Sequence, residues 1–213
     1  MRENPLSPAS PRAAVVLATR NPGKIRELAV LLRPFRLRVL GLSLFPQAGE
    51  TRETGVTFAE NALLKAGFAA EATGFVAVAD DSGLEVDALG GAPGVFSARY
   101  SAGEDSTDAG NVEKLLKEMR GVEAGRRGAR FRCCMAACTP QGDRIAADGT
   151  WEGRIAEKAV GENGFGYDPV FLDCETGLTA AQMAAGEKNR RSHRAAASAG
   201  LVRLWPFFWD RWL

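Results

Sequence analysis

The sequence predicts an α/β fold in which helices flank a mixed β-sheet. Strand and helix patterns alternate along the first half of the chain, an order typical of strands that are joined by helices. Two long strand patterns then follow each other at residues 129–139 and 144–155, and Gln141-Gly142 between them indicates a hairpin. Helix-linked strands followed by a hairpin therefore favour a mixed α/β architecture.

The first predicted elements are a strand, a helix and a second strand. Residues 13–19 form a β-branched apolar run that predicts a buried strand of the parallel type. Asn21-Pro22-Gly23 interrupts this run, and residues 36–40 form the second predicted strand. Between them, apolar residues recur at the spacing of one helix face, at Ile25, Leu28, Ala29 and Leu32.

A long helix is predicted after these strands. Thr57 and Glu60 stand at the spacing of a capping box, so a helix is expected to begin there and to run to about residue 72. Asn61 and Lys65 are four residues apart in this segment, and they are therefore expected to share one face of the helix.

Two adjacent carboxylates follow the third predicted strand. Residues 75–79 are mostly apolar, and Asp80 and Asp81 come directly after them, before Ser82. We expect the strand to end here and to present both acids to a cleft, with a further strand at residues 84–89. Neighbouring carboxylates repel each other unless a cation or proton lies with them, so a metal ion that also holds a polyphosphate would suit this pair. The alternative is an ordinary turn, because Asp, Ser and Gly all favour turns.

The second half of the chain adds two predicted helices and a loop. Residues 161–168 are rich in glycine and are expected to form a site loop, and Ser192 is a good N-cap for a last helix. The other predicted helix covers residues 107–119, and four of its apolar residues point inward, namely Val112, Leu115, Leu116 and Met119.

Composition narrows the class of protein. The chain has 213 residues, of which 46% are hydrophobic and 25% charged, and its net charge is +1. Such a balanced charge creates no global field that would attract nucleic acid, so no nucleic-acid partner is expected. The longest apolar runs are too short to cross a bilayer, so no membrane partner is expected either.

The cysteines and the ends of the chain complete the outline. The four cysteines show no Cys-x-x-Cys spacing and His193 is the only histidine, so a zinc site is not expected, and reduced thiols fit a cytoplasmic protein. We expect a disordered tail at residues 1–12 that is not a secretory signal, one domain at residues 13–200, and an aromatic extension at residues 201–213. The extension is expected to pack on the core or on a dimer surface, with a membrane interface as the alternative.

Two further segments could bind phosphate. Residues 19–24 form a turn between a strand and a helix, where free backbone N–H groups and the charge of Lys24 would suit a phosphate. Glu53 and Lys65 could reach the same cleft as the two aspartates. The alternatives are an ordinary turn for the first segment and solvated surface charges for the second.

Two later segments could bind a flat ligand. Glycines around Phe165 would allow the backbone to approach a nucleobase that stacks on the ring, and Asp168 could accept from its N–H edge. Lys188, His193 and Arg194 could contact the base. Arginine only donates, so Arg194 would favour a 6-keto purine over a 6-amino purine. The alternatives are a loop with Phe165 packed in the core and an exposed basic helix start.

In this order, the segments resemble one known family. The carrying motifs are LATRNPGKIREL (17–28), ETGVTFAENALLKA (53–66), VADDSGLEVDALGGAPGVFSARY (78–100), NGFGYDPVF (163–171) and EKNRRSHRA (187–195). Together they are similar to the motifs of the inosine/xanthosine triphosphate pyrophosphatases, the Ham1-like enzymes that act on noncanonical purine nucleotides. The resemblance covers residues 15–197, which is nearly the whole chain.

This resemblance implies a fold, a cofactor and a set of site residues. The expected fold is a long curved mixed sheet with two lobes around a nucleotide cleft, in a homodimer. Asp81 would be the proton acceptor and a Mg²⁺ ligand, with Glu53 and Asp80 as further ligands. The expected substrate-binding residues are Thr19, Arg20, Asn21, Pro22, Gly23, Lys24, Lys65, Ser82, Phe165, Gly166, Tyr167, Asp168, Lys188, His193 and Arg194.

The hypothesis at this point is hydrolysis of inosine, deoxyinosine or xanthosine triphosphate to the monophosphate and pyrophosphate. Two alternatives stay open. One is a Maf-like pyrophosphatase with another base preference, which a substrate panel would separate. The other is a nucleotide-binding regulator that does not cleave its ligand, although such a regulator has no need of a water-activating acid.

Overall fold

The computed structural model describes residues 14–19, 25, 29–30, 36–49 and 51–212, and within these ranges six strands form one sheet in the order β2-β1-β3-β4-β5-β6. β1 pairs in parallel with both β2 and β3, whereas β5 and β6 are antiparallel, so the predicted mixed sheet is confirmed. The strands are β1 (Ala14–Leu17), β2 (Arg38–Gly41), β3 (Val76–Val86), β4 (Gly128–Cys138), β5 (Arg144–Ile155) and β6 (Phe171–Asp173).

Helices accompany this sheet, and together they confirm the predicted α/β class. The predicted helix at residues 25–32 falls largely outside the described residues, as do the predicted tail at residues 1–12 and Arg20, Asn21, Pro22, Gly23 and Lys24 of the phosphate turn. The described helices are α1 (Phe58–Thr73), α2 (Asp108–Glu118), α3 (Ala185–Arg191) and α4 (His193–Trp212).

Local interactions explain where α1 begins and ends. The Thr57 hydroxyl accepts a hydrogen bond from the Glu60 backbone N–H at 3.1 Å, as predicted for an N-cap. Glu60 reaches one residue further back than a standard capping box, since its carboxylate accepts from the Val56 N–H at 2.7 Å. Gly74 ends the helix with φ = 71°, a left-handed conformation that suits glycine.

The third strand differs from its prediction. β3 continues without a break from Val76 to Val86, so the predicted strand end at Asp80-Asp81 and the separate strand at residues 84–89 are both wrong. β3 lies between β1 and β4 in the sheet, and the incorporation of this segment into the sheet outweighs the turn preference of Asp, Ser and Gly. Asp81 therefore projects from the middle of a rigid strand rather than from a turn.

The predicted hairpin between β4 and β5 is confirmed. Gly142 has φ = 97° and donates its N–H to the Thr139 carbonyl at 3.0 Å, which closes the turn. Cys133, Cys134 and Cys138 are buried in β4, as predicted for cysteines that act as small apolar residues.

The chain forms two compact units, and the boundary falls inside β3 after Asp81. The first unit comprises the described residues up to Asp81, Met135–Ala147 and the described residues from Ser198 onward. Its core includes β1, the apolar face of α1 and three fully or almost fully buried side chains of α4, Leu201, Trp205 and Phe208. None of the helices in the described part of the chain has both the length and the apolar character that a bilayer crossing requires.

The second unit comprises Ser82–Cys134 and Asp148–Ala197. Its core is an apolar cluster to which β3, α2, β4, β5 and β6 all contribute, and Leu115 and Met119 of α2 are buried in it. Val112 and Leu116 pack against the same cluster. The predicted inward face of this helix is therefore confirmed.

Candidate active site

Asp81 is the centre of a polar cluster in the first unit. Its carboxylate accepts a hydrogen bond from the Lys65 ammonium at 2.8 Å through Oδ1 and from the Asn61 amide at 3.3 Å through Oδ2. Asn61 and Lys65 lie one helical turn apart on α1, so the prediction that they share a face is confirmed. The helix thus places an ammonium and an amide against one carboxylate of the neighbouring strand.

Glu53 joins this cluster through the same lysine. The Lys65 ammonium lies 2.8 Å from Glu53 Oε1 as well as 2.8 Å from Asp81 Oδ1. The Lys65 side chain is 17% exposed, whereas the Glu53 side chain is 31% exposed, so the lysine is enclosed and the glutamate is open on one side. Lys65 is therefore not a solvated surface charge, whereas the Glu53 side chain stays partly exposed.

Burial sets the protonation chemistry of the cluster. Burial raises the pKa of Asp81 above the usual value for aspartate, and the Lys65 ammonium opposes this rise only in part. Burial lowers the pKa of Lys65, but the charges and hydrogen bonds of Asp81 and Glu53 outweigh this effect and raise that pKa overall. A carboxylate with a raised pKa is a better proton acceptor near neutral pH than an ordinary aspartate.

These residues suit a hard divalent cation. Mg²⁺ prefers oxygen ligands and is usually held by one or two carboxylates together with water and substrate phosphates. Here two carboxylates approach one cationic group, the Lys65 ammonium, which shows that the site accepts positive charge between them. Across the described residues, no group of three or more His, Cys, Asp or Glu side chains could hold a metal by itself. A cation held by these two carboxylates would take its remaining ligands from water and phosphate.

Asp80 and Ser82 flank Asp81 on β3. Both lie within the continuous strand, Asp80 in the first unit and Ser82 in the second. Asp80 is buried, and its role as a third metal ligand stays a prediction. Glu53 is connected with Asp81 through Lys65, which contacts both carboxylates.

A cavity adjoins the cluster in the first unit. It encloses about 260 Å³, and Thr19 and Lys65 line it together with Thr51 and an apolar wall that includes Leu42 and Phe68. Thr19 is the part of the predicted phosphate turn that the structure describes. Its position beside Lys65 is consistent with the predicted phosphate role of the turn, which stays a prediction.

A second group of predicted residues meets in the second unit. Asp168 forms an ion pair with Lys188, and its Oδ2 accepts a hydrogen bond from the Phe165 N–H at 2.8 Å. The Lys188 ammonium lies 4.8 Å from the centre of the Phe165 ring, within the range of a cation–π interaction. Phe165 is 63% exposed, so the alternative that places this ring in the core is wrong.

Gly164 allows this arrangement to form. Its φ is +83°, and a Cβ atom at this position would overlap with the Asp168 carboxylate. Only glycine is free of both the backbone strain and the steric overlap. The glycine-rich loop was predicted as a site loop, and the close approach at Gly164 is the physical reason for its composition.

Two further contacts hold the same loop. The Gly166 N–H donates to the Asp108 carboxylate at the start of α2 over 2.7 Å, and the Tyr167 hydroxyl donates to the Ser97 carbonyl at 2.8 Å. The Tyr167 side chain is buried in the apolar cluster, so a nucleotide contact from this residue would have to involve its backbone. The sequence did not indicate Asp108, because it lies far from the loop in the chain and reads as an ordinary first-turn acid.

His193 and Arg194 begin α4. The His193 ring stacks on Phe131 with centroids 4.9 Å apart, and the ring is 8% exposed. An Arg194 guanidinium nitrogen lies 3.4 Å from the Ser82 hydroxyl, so two predicted substrate residues meet in this unit. The predicted N-cap is confirmed, since the Ser192 hydroxyl accepts from the Ala195 N–H.

The fold and the clusters define an α/β protein with an acidic, lysine-containing site that suits a metal-bound phosphate compound. The chain belongs to the Ham1 family, whose profile matches residues 15–204. The family that the sequence motifs predicted is therefore confirmed over nearly the whole chain.

Named relatives and solved structures agree with this assignment. A protein of Nitratidesulfovibrio vulgaris named dITP/XTP pyrophosphatase is 61% identical over 203 residues, covering 93% of this chain and 98% of the relative. A Bacillus licheniformis protein of the same name is 50% identical over 190 residues, covering 89% of this chain and 96% of the relative. The structure of the Staphylococcus aureus Ham1 protein matches with a TM-score of 0.85 at 40% identity, covering 91% of this chain and 98% of that chain.

Proposed function

We propose that this protein hydrolyses noncanonical purine nucleoside triphosphates, such as inosine, deoxyinosine and xanthosine triphosphate, to the monophosphate and pyrophosphate. The names of its relatives support this class of enzyme, at up to 61% identity among those compared. The observation that carries the proposal is the contact of one ammonium, from Lys65, with the carboxylates of both Glu53 and Asp81. Such a group of charges beside a cavity suits a metal-bound polyphosphate, because carboxylate oxygens hold a hard cation and an ammonium contacts phosphate.

The first unit supplies the chemistry of hydrolysis. Asp81 accepts the proton of the attacking water, and its raised pKa suits this role. Lys65 offsets negative charge on the phosphates as the phosphoanhydride bond breaks. Glu53 and Asp81 would hold the divalent cation, which neutralises phosphate charge when it is bound; Mg²⁺ is the proposed ion because all available ligands are oxygens.

The second unit supplies recognition of the base. Phe165 offers an exposed ring face for stacking, while Asp168 and Lys188 provide an acceptor and a donor beside it. Arg194 donates to the 6-keto group of hypoxanthine or xanthine and leaves the 6-amino group of adenine without an acceptor. A buried polar group without its partner can change selectivity by several orders of magnitude.

The remaining residues have proposed supporting roles. Ser82 lies against Arg194 and would contact the substrate with it, and His193 would complete the same end of the base site. The turn from Thr19 to Lys24 would bind the terminal phosphates through its backbone N–H groups. The homodimer and the cytoplasmic location stay predictions from the family resemblance.

A substrate panel tests the proposed function. We expect pyrophosphate release from inosine and xanthosine triphosphates with a kcat/KM at least about 100-fold above that for adenosine triphosphate, because Arg194 disfavours a 6-amino group. Omission of Mg²⁺ should abolish release. Equal activity on adenosine triphosphate, or release of single phosphates instead of pyrophosphate, would contradict the proposal. Guanosine triphosphate belongs in the same panel, since guanine shares the 6-keto group.

A further inference from the structure

Asn61 is buried at the centre of the acidic site. Its side chain is fully shielded from solvent, and both the nitrogen and the oxygen of its amide group form hydrogen bonds. Nδ2 donates to Asp81 Oδ2 at 3.3 Å, and Oδ1 accepts the Gly55 N–H at 2.8 Å. Buried amides are retained where both ends find partners, because an unsatisfied polar group in the interior costs about 1–3 kcal/mol.

The two partners of this amide belong to different segments of the site. Asp81 lies on β3, whereas Gly55 follows Glu53 by two residues in the segment that leads into α1. One side chain therefore connects the proposed proton acceptor with the segment that carries the other acid. Lys65 makes the corresponding connection through charge, and Asn61 makes it through directed hydrogen bonds that fix orientation.

Gly55 provides an independent sign that this approach is built into the fold. A Cβ atom at this position would lie 2.7 Å from Asn61 Oδ1 and 2.7 Å from Glu60 Cβ, which is closer than real Cβ atoms come. The φ of Gly55 lies outside the left-handed region, so the glycine is explained by the close approach and not by backbone conformation. The segment can reach the amide only because no side chain stands between them.

We propose that Asn61 is a positioning residue of the active site: it orients the Asp81 carboxylate and holds the segment bearing Glu53 at the distance at which both acids serve one cation. This role rests on the proposed function of Asp81 and deepens it. Groups that orient the ligands of a metal typically contribute 10- to 100-fold to metal affinity or activity. An amide suits this position because its nitrogen donates to a carboxylate while its oxygen accepts from a backbone N–H.

The substitution Asn61→Asp tests the proposal directly. It preserves the shape of the side chain and an acceptor for the Gly55 N–H, but it replaces the donor to Asp81 with an oxygen. We expect kcat for pyrophosphate release from inosine triphosphate to fall about 10- to 100-fold with KM changed less than about threefold. Mg²⁺ binding without nucleotide is measured by calorimetry on Gly55→Ala, which disturbs the other end of the bridge and adds no charge, and it should weaken about 10-fold or more.

Asn111 offers a matched control in the second unit. Asn111 is the fourth residue of α2, as Asn61 is of α1, and it is 2% exposed. Its amide donates to the carbonyls of Ser97 and Ala98 and accepts from the Ser101 N–H, so it contacts only backbone. We expect Asn111→Asp to lower the thermal unfolding midpoint comparably, with kcat and Mg²⁺ binding within about threefold of wild type.

The outcomes separate the two proposals. A kcat for Asn61→Asp within about threefold of wild type, or an equal loss in Asn111→Asp, would overturn the positioning role. If Asn61→Asp does not fold, Gly55→Ala decides, because it leaves Asn61 in place and disturbs the other end of the bridge; normal kcat in that variant would also overturn the role. Asp81→Asn, assayed in parallel, tests the proposed function alone. If the Asp81→Asn protein is active, the proposed role of Asp81 is wrong. If it is inactive while Asn61→Asp has normal kcat, only the positioning role of Asn61 is wrong.

Discussion

At Lys65, a single ammonium contacts carboxylates from two separate segments of the chain. Glu53 and Asp81 would repel each other at close range, and the Lys65 ammonium compensates for their charges by contacting both carboxylates. Lysine suits this position because its charge is compact and can serve two acceptors in different directions, whereas arginine presents a flat fork. The same charge compensation is what a divalent cation and a polyphosphate would provide between them.

Asp108 is predicted to hold the loop of Phe165 in place through one hydrogen bond. Its carboxylate accepts the Gly166 N–H, which lies next to the exposed Phe165 ring. Asp108→Ala removes this contact, so the loop should lose order and KM for inosine triphosphate should rise about two- to fivefold, the effect of an exposed hydrogen bond to a charged group. Steady-state kinetics measures the change, and kcat should stay within about twofold.

The conservative variant controls for helix stability. Asp108→Asn retains an oxygen acceptor for the Gly166 N–H but removes the charge at the start of α2. It should restore KM most of the way to the wild-type value. A KM that is unchanged in Asp108→Ala, or equally raised in both variants, would show that the loop does not depend on this contact.

Sequence reasoning at the residue scale succeeded where helical spacing connects residues. Asn61 and Lys65 could be placed on one face because they are four apart, and the structure brings both to Asp81. The direction of the Asn61 amide and the contact from Asp108 could not be predicted. Each depends on which backbone N–H a folded loop presents, and that is a property of the tertiary structure.

At the scale of elements, α4 shows how the aromatic end of the chain is used. The helix runs from His193 to Trp212. Trp205 stacks on Trp209 with centroids 5.4 Å apart and packs beside Phe208, while the Ser198 hydroxyl contacts Met135 of β4. The predicted packing of the extension on the core is consistent with this arrangement, in which the part of α4 from Ser198 onward belongs to the first unit.

Two substitutions in α4 test this packing. Trp205 is fully buried, so Trp205→Ala should lower the free energy of unfolding by about 3–5 kcal/mol. Phe207 is 77% exposed on the same helix, so Phe207→Ala should change it by less than about 0.5 kcal/mol. Urea denaturation with equal m-values would measure both. Similar effects of the two substitutions would contradict the proposed burial of the aromatic end.

The strand predictions are correct where neighbouring residues determine the structure, and wrong where other strands of the sheet determine it. The β4–β5 hairpin follows from a glycine turn between two regular patterns, so neighbouring residues were sufficient to predict it. The prediction that β3 ends at Asp80-Asp81 is wrong, because Asp, Ser and Gly favour a turn locally whereas the sheet continues the strand to Val86. The short helix α3 was missed for a similar reason, since its seven residues have no apolar face that would indicate it.

At the scale of the whole molecule, the order of the motifs carried most of the functional information. Each segment by itself also fits an ordinary turn or a charged surface. The five segments in one order predicted the family, and the profile match over residues 15–204 confirms it. The family resemblance implied two lobes, but the position of the boundary after Asp81 could not be predicted, because strand β3 passes through it without any change in pattern. The acidic cluster and the loop of Phe165 consequently belong to different units, and each needs its own test.

The most direct test of the central claim is the turnover of Asp81→Asn. The exchange keeps the size of the side chain and removes the proton acceptor and one proposed cation ligand. With inosine triphosphate and Mg²⁺, kcat for pyrophosphate release should fall about 10³-fold or more, while the thermal unfolding midpoint stays close to that of the wild type. Near-normal turnover by a folded Asp81→Asn protein would contradict the assignment of the active site.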